Sequence, residues 1–274
     1  MGRRAAVWSG HGAMRVLTVY AHFNPASFCH AVLDEFTAGL REAGHEPDVL
    51  DLYAMRFDPV FGPKDMAAWI HPDMPPAVLA AMDPRRRVLE GAGGPVRRFL
   101  ARRAMAGMDD REIARMIRRH RPKDAARHWR RVADADALAV IAPVYWLGLP
   151  AILKGWIERV FAYGDAFALD EEGWRGNVAG RIGLLRHERA LLMLSTIFSE
   201  ADYADLEPAM RRILCDWTLR YPGIERVDLV LFHGAAVADA PAIHGHLVRA
   251  RGLGRDFALP AGGAAPAPAG RQEV

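Results

Sequence analysis

The chain has 274 residues, of which 51% are hydrophobic and 25% are charged, and its formal net charge is +3. It holds no apolar run of the ~18 residues that a membrane-spanning helix needs, and residues 1–13 lack the apolar core and cleavage site of a signal peptide. Its two cysteines, Cys29 and Cys215, suit neither a disulfide framework nor a zinc site, so the composition predicts a globular cytoplasmic protein without a membrane anchor.

Five predicted strands alternate with predicted helices. Buried strands are predicted at Val16–Tyr20, Glu46–Leu52, Ala137–Ala142, Ala190–Ser195 and about Val227–Phe232. Amphipathic helices are predicted at Ser27–Gly44, before the third strand, at Leu149–Phe161, about Tyr203–Arg220 and Ala240–Arg255. This alternation indicates an α/β fold with a parallel sheet and right-handed crossovers. Because no long strand follows the fifth, the doubly wound, flavodoxin-like order 2-1-3-4-5 is favoured over the six-stranded dinucleotide-binding order.

Two segments interrupt the alternation. The first, about residues 53–123 after strand 2, is rich in proline, arginine and methionine, and the capping-box pattern at Asp109–Glu112 predicts helices within it. The second, Phe167–Leu184, predicts a β-hairpin or an extended excursion before the fourth strand. We therefore expect a single domain at residues 14–259 with a helical insertion, a disordered extension at 1–13 and a disordered tail at 260–274.

The segment Ala137–Phe161 carries the clearest functional signal. Its buried strand is followed by Pro143, by an apolar turn and by a helix that Pro150 opens. The turn is too apolar for an ordinary solvated loop, and its neighbouring Tyr145 and Trp146 cannot both point into the core. Because ligands of open α/β sheets bind outside the carboxyl ends of the strands, the turn predicts a surface for a planar cofactor. Simple core packing is the alternative.

The loop His22–Phe28 follows the first strand and leads into a helix. Ser27 can cap that helix, whose N-terminus favours a phosphate, and His22 could reach an anion. Taken alone, the loop is better explained as a capped helix with an incidental histidine. In the predicted topology, however, this loop and the aromatic turn open on the same edge of the sheet. A phosphate anchor beside a planar pocket predicts a flavin nucleotide.

Three segments carry a family pattern: AHFNPASF after strand one, DLYAMRFDPVF after strand two, and APVYWLGLPAILKGWIERVF. Together they resemble the NAD(P)H:quinone oxidoreductases, the DT-diaphorase branch of the flavodoxin-like fold. The resemblance covers about Arg15–Phe61 and Asp134–Phe257. It implies a homodimer that binds FAD, or alternatively FMN, and transfers hydride from NADPH or NADH to a quinone or similar electrophilic aromatic by a two-electron, ping-pong reaction.

The resemblance also assigns site residues. The flavin phosphates and ribityl chain would be held by His22, Ala26, Ser27, Phe28 and Cys29. The isoalloxazine ring would be lined by Pro143, Val144, Tyr145, Trp146 and Leu147, with Ser195 and Thr196 at the turn after strand four. Trp146 would also face the substrate. No metal is expected, because His244 and His246 lack a third ligand nearby.

The chain departs from the family pattern after strand four. Where the family usually reads Thr-Thr-Gly-Gly, Ile197 and Phe198 replace the glycines. Tyr203 falls at the position of a family tyrosine, but Ala209 stands where its partner histidine is expected, so the pair that stabilises a reduced flavin anion is incomplete. Tyr203 is then either a catalytic residue acting alone or a surface residue at a helix N-terminus. This departure keeps a specialised flavoenzyme, such as a biosynthetic tailoring reductase or oxidase, as an alternative.

Charge is concentrated in the insertion. Residues 85–131 hold sixteen basic and five acidic residues, which leaves a net charge of −8 on the rest of the chain. A noncatalytic flavin or polyanion binder is therefore a further alternative. Nucleic acid is not the expected partner, because arginine replaces lysine throughout and Phe99 and Trp129 are the only aromatic residues in this segment. A local role is also open: an arginine such as Arg118 or Arg119 could contact the 2′-phosphate of NADPH.

Overall fold

The computed structural model describes residues 12–258. Most of the predicted N-terminal extension and the whole predicted tail lie outside these residues. The strands are β1 (Arg15–Tyr20), β2 (Glu46–Asp51), β3 (Ala137–Pro143), β4 (Phe167–Leu169), β5 (Arg181–Gly183), β6 (Arg189–Ser195) and β7 (Arg226–Phe232). Five of them form a parallel sheet in the order β2-β1-β3-β6-β7, while β4 and β5 form the predicted antiparallel hairpin. Without the hairpin strands this is the predicted order 2-1-3-4-5.

The helices are α1 (Phe28–Glu42), α2 (Pro63–Ala68), α3 (Pro76–Met82), α4 (Pro84–Gly91), α5 (Pro95–Ala104), α6 (Asp110–Arg119), α7 (Lys123–Asp134), α8 (Ala151–Val160), α9 (Glu171–Trp174), α10 (Glu200–Tyr203), α11 (Leu206–Met210) and α12 (Ala240–Arg255). A 3-10 turn spans Val178–Gly180, and a π-helical stretch, Arg211–Arg220, continues α11. The segment predicted as one helix from Tyr203 to Arg220 is therefore divided. Within the described residues, no helix is long and apolar enough to cross a membrane.

The sheet is covered on both faces, which explains its continuous apolar runs. Alternate residues of β3 enter different cores: Leu138 and Val140 pack with α7, α8 and the helical segment before β7, whereas Ala139 and Ile141 pack with α1 and α12. Every residue of β3 is buried. The central strand therefore fixes the sheet between two helical layers and leaves its carboxyl edge for the connecting loops.

The insertion contains helices α2–α6 and has a core of its own. Ile70, Met105 and Ile113 are among the residues that pack in this core, together with Tyr163 after α8. The predicted capping box is confirmed, since the Glu112 amide donates to Asp109 and the Asp109 amide donates to Glu112. The insertion is thus a small helical layer seated against the hairpin region.

Arg159 of α8 ties the insertion to the sheet domain. Its Nε lies 2.8 Å from Asp65 Oδ1, and its Nη1 lies 2.8 Å from Asp124 Oδ2 while also donating to the Asp58 carbonyl. One turn earlier, Gly155 lies so close to the incoming chain that a Cβ there would be 2.1 Å from the Pro59 carbonyl oxygen. Ion pairing and close backbone contact therefore hold the start of the insertion on α8.

His128 links α7 to α8 through a buried hydrogen bond. Trp156 Nε1 donates to His128 Nδ1 at 3.1 Å, and Phe57 stacks on the imidazole ring. Burial lowers the pKa of His128 from 6.5 to about 4. Between pH 6.5 and 4, the unfolded chain therefore binds a proton at His128 that the folded protein does not bind. The free energy of unfolding is highest above pH 6.5 and falls as the pH is lowered toward 4.

We expect acidification through this window to remove up to about 3 kcal/mol of unfolding free energy through His128. Denaturant unfolding at several pH values would measure the slope for the wild type and for His128→Gln, whose side chain keeps an acceptor but does not titrate. The exposed His120→Gln is the matched control. Equal slopes for the His128→Gln variant and the wild type would contradict the assignment.

Candidate active site

A cavity of about 890 Å³ opens at the carboxyl edge of the sheet. Its walls come from the loops that follow β1, β3, β6 and β7. Small-molecule sites in proteins occupy roughly 300–1,000 Å³, so this cavity suits a large ligand. The two loops that the sequence predicted to meet, after strands one and three, lie on the same cavity.

The β1 loop forms the polar end of the cavity. Ser27 caps α1, its Oγ accepting from the His30 amide at 3.2 Å. Phe28 and Cys29 occupy the first turn and line the cavity, where helix amides lack partners within the helix. The predicted residue Ala26 is exposed and is not part of the cavity lining, and its amide donates to Asn24 Oδ1. This geometry suits an anion at the α1 N-terminus.

His22 also lines this end and is held as a neutral donor. Its Nδ1 accepts from the Asn24 amide at 3.0 Å, which places the ring proton on Nε2. Burial lowers the pKa of His22, so the ring stays neutral at pH 7. His22 can therefore offer Nε2–H to an anionic group without carrying a full charge.

The aromatic turn is a strained two-residue hairpin. The amides of Tyr145 and Gly148 each donate to the other residue's carbonyl at 3.0 Å, and Trp146 and Leu147 between them have φ of 48° and 59°. Such turns favour Asn-Gly, because left-handed backbone is costly for large side chains. Trp146 is fully exposed. The strained turn places the Trp146 and Leu147 side chains at the mouth of the cavity, next to Pro143, Val144 and Tyr145.

Relieving this strain should stabilise the fold and weaken the site. The double variant Trp146→Asn/Leu147→Gly is expected to gain about 1–2 kcal/mol of unfolding free energy, because Asn and Gly adopt positive φ at little cost. Denaturant unfolding would measure the gain, and titration with the flavin nucleotide that the sequence predicts is expected to show weaker binding. The control Trp146→Phe/Leu147→Met retains the strain. Unchanged stability of the Asn-Gly variant would contradict this explanation.

The loop after β6 forms a third wall of the cavity. Ser195 Oγ lies 3.1 Å from Cys29 Sγ, and burial raises the pKa of Cys29 to about 11, which keeps it a neutral thiol. Both residues and Thr196, which the resemblance assigns to the flavin site, line the cavity. Ile197 and Phe198, which replace the family glycines, line it as well and are 57% and 48% exposed. The Phe198 amide donates to Thr196 Oγ1, so it is not available to a ligand.

Tyr203 is a cavity residue and not a surface residue. Its side chain is 1% exposed, lines the cavity and lies 6.0 Å from the Phe198 ring, measured between centroids. His233, from the loop after β7, packs edge-on against Tyr203 at 5.6 Å. No described residue hydrogen-bonds to His233 Nδ1, which is buried. A histidine therefore meets the tyrosine from another part of the chain, although Ala209 occupies the position expected from the family.

The loop after β7 completes the cavity wall with Ala235 and Ala236, which no sequence motif marks. The Ala235 amide donates to the Thr196 carbonyl at 2.9 Å, and the Thr196 amide donates to the Phe232 carbonyl at 3.0 Å. Two small residues carry no compositional signal of a site. The predicted topology alone indicates them, because it places the loop after strand five at the same carboxyl edge of the sheet as the other cavity loops.

Arg118 does not reach the cavity. Its guanidinium makes two hydrogen bonds to the buried carboxylate of Asp165, which Arg121 also contacts. These three residues join α6 to the segment after α8. Arg118 thus holds the insertion in place and lends no support to its predicted contact with the NADPH 2′-phosphate, whereas Arg119 is exposed and its contact stays a prediction.

Comparisons with known proteins agree with the resemblance. NAD(P)H dehydrogenase [quinone] 1 of Cavia porcellus is 30% identical over 190 residues, which are 69% of this chain and 56% of the relative. The FMN-dependent NADH:quinone oxidoreductase of Stenotrophomonas maltophilia is 30% identical over 113 residues, 41% of this chain and 53% of the relative. The chain thus spans slightly more than half the length of these curated relatives.

Among solved structures, the NAD(P)H:quinone oxidoreductase from Methanothermobacter marburgensis covers 90% of this chain and 98% of its own, with a TM-score of 0.63 and 27% identity. The family described as "Flavodoxin-like fold" matches residues 14–252. That match includes all five strands of the parallel sheet and every loop that lines the cavity. The chain therefore belongs to the flavodoxin-like fold family and resembles its quinone-reducing members.

Proposed function

We propose that this protein is a flavin-dependent NAD(P)H oxidoreductase that transfers hydride, in a two-electron ping-pong reaction, to a quinone or similar electrophilic aromatic. The observation that carries the proposal is the cavity itself, which joins an apolar, aromatic slot to a capped helix N-terminus at the carboxyl edge of the sheet. The names of the similar proteins support the same chemistry.

The residues present fit a flavin nucleotide. The α1 N-terminus and His22 Nε2–H suit its phosphate, while Tyr145, Trp146 and Leu147 offer apolar faces to a flat ring. When bound, the flavin supplies the hydride chemistry, and the protein contributes binding, orientation and electrostatics. In the proposed reaction, nicotinamide and acceptor use the same aromatic slot in turn, and Tyr203 donates a hydrogen bond toward the polar edge of the ring.

We further propose FAD as the cofactor, with FMN as the alternative. The large cavity supports a dinucleotide, whereas the FMN-dependent relative supports the smaller cofactor. NADPH or NADH serves as the reductant.

We also propose a cytoplasmic homodimer. Four large apolar residues at the cavity mouth, Trp146, Leu147, Ile197 and Phe198, are roughly half to fully exposed. An apolar rim of this kind is typical of an interaction surface, and a partner subunit would cover it. The two cysteines are free and buried, which suits a reducing compartment.

The first test is the visible spectrum of the purified full-length protein, followed by chromatography of the released cofactor and anaerobic addition of NADPH. A flavin band that bleaches rapidly supports the proposal, and chromatography separates FAD from FMN. A protein that neither contains flavin nor takes it up on reconstitution would overturn it.

One observation favours a second candidate, a specialised flavoenzyme such as a tailoring reductase or oxidase. Ile197 and Phe198 line the slot at the positions where the resemblance expects glycines, and the Phe198 amide donates to Thr196 Oγ1. A bound flavin that NADPH and NADH reduce slowly, but that an organic substrate reduces quickly, would favour this candidate.

A further inference from the structure

Helix α5 is unusual among the helices of the insertion because it buries none of its residues. Ala101 is its only partly buried residue, while Val96, Phe99 and Leu100 are 71%, 62% and 57% exposed. A surface helix normally turns its large apolar residues toward the core. Here they face away from it.

The charge on α5 is also uncompensated. The helix carries Arg97, Arg98, Arg102 and Arg103 and no acidic residue. Between residues 12 and 258, none of these four arginines forms an ion pair, whereas Arg86 and Arg87 of the preceding helix both pair with Glu90. Four free guanidinium groups therefore lie on a helix of ten residues.

Helical spacing places Val96, Phe99, Arg102 and Arg103 together on the outer face. Arg102 and Arg103 follow Phe99 by three and four positions, and Val96 precedes it by three, so all three neighbour Phe99. The inner side carries Ala101 and Ala104, which line a small cavity of about 360 Å³ between α5 and the rest of the insertion. The outer face thus presents an aromatic side chain flanked by arginines.

We propose that α5 is a docking surface for anionic lipid bilayers. Phe99, Val96 and Leu100 would enter the headgroup region while Arg98, Arg102 and Arg103 contact lipid phosphates and Arg97, nearer the inner side, adds to the positive charge, the arrangement of a basic interfacial helix. Exposed aliphatic residues contribute nothing to nucleic-acid stacking, and Phe99 is the only aromatic on the helix. A symmetric contact with a second copy would bring eight arginines together, which charge repulsion opposes. The proposal is independent of the flavin chemistry.

The test is co-sedimentation of the full-length protein with phosphatidylcholine vesicles that contain or lack phosphatidylglycerol. Vesicles with about 30% phosphatidylglycerol should bind the protein at least about tenfold more tightly than vesicles of phosphatidylcholine alone. This binding should be lost near about 0.5 M salt. Phe99→Ser/Leu100→Ser should weaken binding about tenfold by removing apolar contact alone. Substituting glutamine for all four α5 arginines should abolish it.

The control replaces four exposed arginines of α6 and α7, Arg111, Arg119, Arg127 and Arg130, with glutamine. This variant loses the same charge and should keep most of the binding. Equal loss in the control, or no binding to phosphatidylglycerol vesicles, would overturn the proposal. So would binding to a poly-dT oligonucleotide in preference to vesicles, or a change in sedimenting mass on Phe99→Ser/Leu100→Ser, which would identify a contact between copies. An unchanged melting temperature verifies that each variant is folded.

Discussion

The Arg159→Met variant is expected to lose about 3–5 kcal/mol of unfolding free energy, because removing one member of a buried ion pair leaves an uncompensated charge. Asp65, the partner of Arg159, is 7% exposed, and the same guanidinium reaches Asp124 and the Asp58 carbonyl. Chemical denaturation monitored by circular dichroism would measure the loss. Because the pair joins α2 to α8, proteolysis of the insertion should also accelerate.

The exposed Arg175→Gln is the control, since ion pairs at the surface contribute about 1 kcal/mol or less. The double variant Asp65→Asn/Arg159→Met should recover part of the stability, because it leaves no buried charge on Asp65. If Arg159→Met cost no more than Arg175→Gln, the proposed anchoring of the insertion by this cluster would be wrong.

The Tyr203→Phe variant is expected to lower the rate constant for anaerobic flavin reduction by NADPH roughly 10²-fold, the usual effect of removing one stabilising donor from an active site. Phenylalanine preserves the ring contacts with Phe198 and His233, so flavin content should not change. Stopped-flow bleaching of the flavin band would measure the rate. His233→Leu should give a smaller decrease, because His233 contacts the Tyr203 ring edge-on and does not line the cavity.

Tyr163→Phe is the matched control, since Tyr163 is also buried but lies in the core of the insertion. A Tyr203→Phe enzyme with normal flavin content and an unchanged bleaching rate would limit Tyr203 to packing. The double variant Tyr203→Phe/His233→Leu tests whether the two residues act together. If they do, its rate should match that of Tyr203→Phe alone.

The parallel sheet was predictable because strands buried on both faces must be continuously apolar. The run Ala137–Ala142 could not be amphipathic, and the regular spacing of helices between strands left few possible topologies. The boundaries of the insertion helices were harder to predict from the sequence. Several begin at a proline, which marks a start, but their packing depends on distant ion pairs such as Arg118 with Asp165.

The candidate site was predictable where topology and side-chain chemistry agreed. Ser27 and Tyr145 were identified because the loops after parallel strands meet at one edge. Turn preferences could not predict the left-handed backbone at Trp146 and Leu147, because those preferences favour Asn-Gly there. The family pattern places the partner of Tyr203 at position 209, whereas His233 comes from the loop after β7 and is close only in the folded protein.

Main-chain hydrogen bonds join the loops around the cavity, whereas side chains form its lining. The Val144 amide donates to the Ser195 carbonyl, and backbone bonds likewise join Thr196 to Phe232 and to Ala235. Since these bonds use main-chain atoms, side chains facing the cavity can be exchanged without removing them. Ile197 and Phe198, at positions where the resemblance expects glycines, illustrate such freedom. This scaffold can therefore diversify in ligand preference through a few loop substitutions while its sheet stays the same.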